Sequence, residues 1–144
     1  MTKDKEKVGI GIDLAQFDTV AACNKGAVME VLDPYTGEPT GASITLAGVD
    51  SDVYQKAQRE NQDQMFRQME RGRGPRASRL SGDEIQAQVQ HVLARCTMAW
   101  DGVAWEGRDL DCSYQNARML YERLPWLRVQ VLNWTEDRAN FLAK

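Results

Sequence analysis

Apolar positions change period several times along the chain, and each change marks an element. AVMEVL (27–32) and ASITLAGV (42–49) are rich in β-branched residues and roughly alternate, with Ile44 and Leu46 on one face and Ser43 and Thr45 on the other. Between them lies Asp33-Pro34-Tyr35-Thr36-Gly37. Asp33 is suited to bond the turn amides, Pro34 fixes its own φ, and Gly37 takes the left-handed conformation that closes a type I turn with a bulge. A hairpin is predicted, irregular near Pro39 and Gly41. The preceding VGIGIDLAQFDTV reads as an opening strand or loop.

After Asp50-Ser51-Asp52 the pattern turns helical, and no Gly or Pro interrupts it from about Asp52 to Arg71. Its apolar residues are unevenly placed. Val53, Tyr54 and Ala57 come first, then the polar run QRENQDQ, then Met65, Phe66 and Met69. A helix buried along its whole length has an apolar residue every three or four positions, so the far end of this one is expected to leave the body of the domain. Two readings of Met65, Phe66 and Met69 stay open. They fold back as a satellite of the core, or they form a Met-rich, adaptable patch for a partner.

RGRGPRASRLSG follows. Arg67, Arg71, Arg73, Arg76 and Arg79 fall within thirteen residues among Gly72, Gly74 and Pro75. The glycines and proline break the helix, and a flexible linker or exposed loop is expected. Ser81 and Glu84 have capping-box spacing and open a second helix. Its apolar face carries Ile85, Val89, Val92, Leu93, Cys96 and finally Trp100, at offsets 0, 4, 7, 8, 11 and 15. His91, the only histidine, falls beside polar Gln88 and Arg95 and reads as a solvated surface residue.

The last third holds all four tryptophans, Trp100, Trp105, Trp126 and Trp134, with Tyr114, Tyr121 and Phe141. Buried aromatics dominate packing, so the core is expected here, covering the hairpin sheet. Gly102 to Leu110 reads as a second hairpin turning at Glu106-Gly107. Val103 then faces Leu110, and Trp105 faces Arg108, whose guanidinium is expected to cap the indole. Ser113 caps a helix carrying Tyr114, Ala117, Leu120, Tyr121 and Leu124. Pro125 ends it and starts another, lined by Trp126, Leu127, Val131 and Trp134.

The predicted fold class is α+β. Residues 1–7 form a flexible tail, 8–50 a β-rich part, 51–71 an extended helix, 72–82 an Arg/Gly-rich linker, and 83–144 a helical core with the hairpin at 102–111.

The chain has 144 residues, is 42% hydrophobic and 27% charged, and carries a net charge of −3. That suits one compact domain and argues against a generally basic nucleic-acid surface. No run approaches a bilayer-spanning length, and MTKDKEKVGIG lacks the apolar stretch of a secretory signal, so a cytosolic protein is expected. Cys23, Cys96 and Cys112 are an odd set without C-x-x-C spacing and read as small apolar residues. No catalytic, cofactor-binding or metal-binding constellation is expected. His91 has no nucleophile to serve, and Asp13-Leu14 lacks the following glycine of a phosphate loop.

Four pieces of the last third carry a resemblance. They are the hairpin Asp101 to Leu110, the serine-capped helix with Gln115 to Arg118, the Pro125 to Arg128 start, and Asp137 to Leu142. Together with the D-P-Y-T-G-E-P hairpin, the I-T-L-x-G strand and the V-Y helix, they resemble the tail assembly chaperones of long-tailed bacteriophages over about Gln16 to Leu142. The chain departs from that pattern at Cys112 and in the arginine-glycine stretch.

The resemblance implies a non-enzymatic helper in the bacterial host cytoplasm that is absent from the mature virion. It would bind the tape-measure protein and help recruit tail tube subunits. A frameshift-extended form of the chain and an oligomer are possible partners, and no membrane partner is implied. The partner-binding residues are expected among Tyr54, Met65, Phe66, Met69, Arg71 and Arg73. The alternatives are a structural tail or connector component of the virion, and a nucleic-acid-binding module that uses the arginine-rich linker.

Overall fold

The turn at Asp33 forms as its chemistry dictates. In the computed structural model, which describes residues 11–70 and 81–142, Asp33 Oδ1 accepts from the amides of Tyr35 (2.7 Å) and Thr36 (3.1 Å). Gly37 closes the turn at φ +77°. This aligns β1 (Ala27–Leu32) against β2 (Pro39–Leu46), antiparallel, with Met29 opposite Ile44 and a register shift between Glu30 and Leu32. The expected polar tail at 1–7 lies outside the described residues, as does most of the expected linker.

Ahead of β1 the expected strand or loop is replaced. Leu14–Phe17 make one turn of 310 helix and Thr19–Lys25 form α1. Asp13 and Asp18 explain the change, because their carboxylates accept from the amides of Ala15 and Ala21, both at 3.0 Å, and cap each start.

α2 spans Asp52–Gln68 with Ser51 as N-cap, and α3 spans Gly82–Cys96 with the full Ser81/Glu84 capping box. The helix of α3 does not continue to Trp100. At Thr97 the backbone turns extended (φ −78°, ψ 109°), and Thr97–Asp101 form β3, which pairs with β2 so that Trp100 lies opposite Ile44. The sheet order is β1-β2-β3. Ladder partners for four residues outweigh a helical periodicity that the sequence carries past its own end.

The small hairpin follows, as β4 (Ala104–Trp105) and β5 (Arg108–Asp109), with Trp105 opposite Arg108. Glu106 joins Gly107 at positive φ, 50° and 84°, the paired left-handed geometry of a tight hairpin. The guanidinium that lies over the Trp105 ring is that of Arg123, 6.0 Å from its centroid, rather than the expected Arg108. α4 (Tyr114–Arg123) is capped by Ser113, and α5 (Pro125–Glu136) begins on its proline.

The architecture is therefore α+β. One sheet face, with Met29, Val31, Ile44 and Leu46, is covered by Leu93 and Ala94 of α3, Ala117, Leu120 and Tyr121 of α4, and Leu127 and Val131 of α5. Trp126 and Trp134 pack against this same core. Thr97 Oγ1 donates to the Leu93 carbonyl (2.8 Å) and lies 2.7 Å from the Tyr121 hydroxyl, so the strand switch is fastened inside the core. Among the described residues no helix is long and apolar enough to cross a membrane.

Two cysteines behave as expected and one does not. Cys23 and Cys96 are buried, whereas Cys112 is exposed. Burial pushes the Cys96 thiol up to about 12 and raises Cys23 as well. Cys112 is also raised by partial burial, but only Cys112 is open to a reagent. Alkylation of the native protein near pH 8 followed by mass spectrometry should mark Cys112 alone, with Cys23 and Cys96 reacting only after denaturation.

Candidate partner-binding site

α2 is held to the domain by two different kinds of contact. At its start, Asn24 and Asp52 exchange hydrogen bonds: the Asp52 amide donates to Asn24 Oδ1 (2.7 Å), and Asn24 Nδ2 donates to Asp52 Oδ2 (3.2 Å). Tyr54 and Ala57 then pack with Ala47, Val92 and Cys96 in a second apolar cluster. Beyond Ala57 the apolar contacts thin out, as QRENQDQ requires. The helix nevertheless stays on the domain, because polar bonds replace them. Asn61 Nδ2 donates to the Gln88 carbonyl at 3.1 Å, and Glu60 Oε1 lies 2.8 Å from His91 Nε2.

His91 is thus no solvated surface residue, since its side chain keeps only 15% of its exposure. Its Nδ1 lies 2.7 Å from the Tyr114 hydroxyl, to which Arg118 Nη1 donates at 2.9 Å. A proton on Nε2 satisfies every atom: Nε2–H donates to Glu60, the Tyr114 hydroxyl donates to Nδ1, and Tyr114 accepts from Arg118. The guanidinium of Arg95 stacks 4.6 Å from the Tyr114 ring centroid and reaches Glu60 at 3.5 Å. The bond from His91, with the charge of Arg95 behind it, holds the Glu60 carboxyl below the usual carboxylate range.

Two clefts flank this stitched helix pair. One, of about 310 Å³, lies between α2, α3 and α4 and is lined by polar Asn61, Gln64 and Gln68 with Met65, His91 and Arg118. The other, of about 290 Å³, is more apolar and includes Tyr54, Met65, Ile85, Val89, Val92 and Leu132. Met65 belongs to both.

The expected binding residues therefore separate. Met65 is half-buried between the clefts, while Phe66 and Met69 are 58% and 38% exposed near the end of α2. Tyr54, expected on the partner surface, is corrected to a core residue at 6% exposure, where it contributes only to a cleft floor. Helical phase explains this: Tyr54 shares its face with Ala57, one turn along, which packs on α3. Arg71 and Arg73 lie outside the described residues. Ile85, expected in the core, is 49% exposed and lines a cleft instead.

Glu60, His91, Tyr114 and Arg118 were not signalled together by the sequence. The i, i+4 spacing of Tyr114 and Arg118 is legible, but their meeting with His91 and Glu60 depends on how α2, α3 and α4 pack. Among the described residues no group of three or more His, Cys, Asp or Glu is placed to hold a metal ion. Compared with known protein families, characterised proteins and solved structures, the chain matches none.

Proposed function

We propose that the protein is a tail assembly chaperone of a long-tailed bacteriophage or prophage. It acts in the host cytoplasm by binding the tape-measure protein and bringing tube subunits to it, and it works without catalysis. The observation that supports this reading is the end of α2, where Met65 is half-buried between two clefts and Phe66 and Met69 are exposed beside it, on a helix whose polar middle is anchored by hydrogen bonds. A holdase needs apolar surface that adapts to many segments of an extended partner, and unbranched methionine provides it. The sequence resemblance supplies the partner's identity.

Co-expression with the tape-measure protein tests the reading. The wild-type chain should raise that protein's soluble fraction and co-purify with it, and should be missing from purified virions. Replacing Phe66 and Met69 with lysine should cut co-purification about 10-fold with little loss in melting temperature, because Phe66 is more than half exposed, Met69 more than a third, and a helix C-terminus accepts positive charge. Equal co-purification by the double variant, or abundance of the protein in mature particles, would reject the proposal.

A further inference from the structure

Arg118 stands on the α4 wall of the more polar cleft and is fixed there by a relay of bonds. Its Nη1 donates to Tyr114 at 2.9 Å, Tyr114 meets His91 at 2.7 Å, and His91 meets Glu60 at 2.8 Å. The relay consumes the nearby carboxylate, since Glu60 serves His91 and Arg95. Glu84, which also lines the cleft, accepts from the Ser81 amide in the α3 capping box. Among the described residues no carboxylate pairs with Arg118. Of the five N–H donors a guanidinium carries, one is used.

Such a group is prepared for an anion. Its geometry is already set, so an incoming carboxylate does not bear the cost of ordering a long side chain. The planar fork suits a two-oxygen acceptor. The cleft's other described polar residues include the uncharged amides Asn61, Gln64, Gln68 and Gln88, and its one described carboxylate, Glu84, is tied to the Ser81 amide, so Arg118 is the group there that attracts an anion. Among the described residues the cleft is lined by one arginine, which favours a carboxylate over a phosphate, usually met by several arginines. Met65 borders the same cleft and continues into the apolar one beside Ile85 and Val89.

We infer that Arg118 is the anchor for a partner carboxylate, and that the segment held here is an amphipathic helix. Its acidic residue lies one turn from an apolar residue that packs on Met65, because side chains three or four positions apart share a helix face. The inference rests on reading these clefts as the partner-binding surface.

A display library of 20-residue amphipathic helices, selected on the full chain, tests it without reference to any phage protein. Recovered peptides should carry Asp or Glu at one-turn spacing from an apolar residue. Their affinity should fall about 10-fold on Arg118→Gln and less on Arg118→Lys, and Arg118→Glu should select lysine or arginine instead. Exchanging the peptide's Glu for Gln should cost the same, and the two changes together should cost little more than either alone. Thermal melts of Arg118→Gln and Arg118→Lys check folding, with the lysine variant carrying the comparison if the glutamine variant is unstable. Peptides without an acidic bias, equal binding to wild type and Arg118→Gln, or failure to recover any specific peptide would each overturn the inference. If acid-bearing peptides couple to Arg118 while the tape-measure protein does not co-purify, the anchor stands and the chaperone reading fails. Co-purification unaffected by Arg118→Gln gives the reverse.

Discussion

Gly48→Ala is expected to destabilise the protein by about 1–3 kcal/mol, the usual cost of forcing a methyl group into a filled core. Gly48 follows β2, and its amide donates to the Cys23 carbonyl at 3.2 Å, which brings α1 against the start of the α2 segment. A Cβ there would meet Cys23 Sγ, lie 2.8 Å from Phe141 Cε2, and lie 3.0 Å from Cys23 Cβ. Neither neighbour has room to yield. Cys23 is fully buried. Phe141 stacks edge-on against Trp134, with centroids 5.0 Å apart, and its turn is tied down where Arg138 grips Asp50 through two bonds of 2.6 and 3.0 Å. Urea unfolding of Gly48→Ala should show a lower midpoint at unchanged slope. Cys23→Ala in the same chain should recover part of the loss, since it removes Sγ, the atom in the worst contact, so the pair should be less costly than the sum of the singles. A neutral Gly48→Ala would mean that this junction is looser than described.

None of that junction was legible from the chain. Gly48 is an ordinary glycine after a strand, and Cys23 lies just past VGIGIDLAQFDTV, which reads as an opening strand or loop. What formed α1 was short-range: two aspartates at the right distance from free amides, with no long amphipathic period to announce them. Local chemistry of another kind was fully readable. The Asp33 turn, the Ser51, Ser81 and Ser113 caps and the Pro125 start each depend on residues within four positions, and each formed as written.

The candidate site divides along the same line. The polar break in α2 implied that its far end leaves the domain. Apolar contact does thin beyond Ala57, and Phe66 and Met69 are exposed, but the helix stays on α3 through polar bonds. Periodicity measures only apolar contact, so it was silent on Asn61 bonding the Gln88 carbonyl and on Glu60 reaching His91. A lone histidine on a polar helix face looked solvated because its partners come from residues 31 and 23 positions away. Long-range polar pairing has no sequence period, and only the packed arrangement of α2, α3 and α4 brings it together.

Trp100 is where a long-range pairing overrode a sequence period, and it carries the last large expectation. Its helical offset from Ile85 was real, yet the residue sits on β3 opposite Ile44, and its indole Nε1 donates to the Leu110 carbonyl at 2.7 Å. That bond joins the main sheet to the exit of the small hairpin, whose own closure adds a Leu110 amide bond to Val103 at 3.1 Å. A two-residue ladder is marginal by itself in water, so the hairpin depends on this attachment. Trp100→Ala should lower stability by about 3 kcal/mol, the low end of aromatic truncation because the ring is only half-buried. Trp100→Phe keeps most of the ring against the core but leaves the Leu110 carbonyl without its donor, at a cost of about 1 kcal/mol. Native-state hydrogen exchange separates the two contributions. In Trp100→Phe, faster exchange should be confined to amides around Leu110 and the hairpin, while the β1–β2 ladder stays protected. In Trp100→Ala both regions should lose protection, because the core face of the sheet loses its packing partner as well. Hairpin protection unchanged in Trp100→Phe would show that the indole contributes packing alone and that the hairpin is held by its own turn.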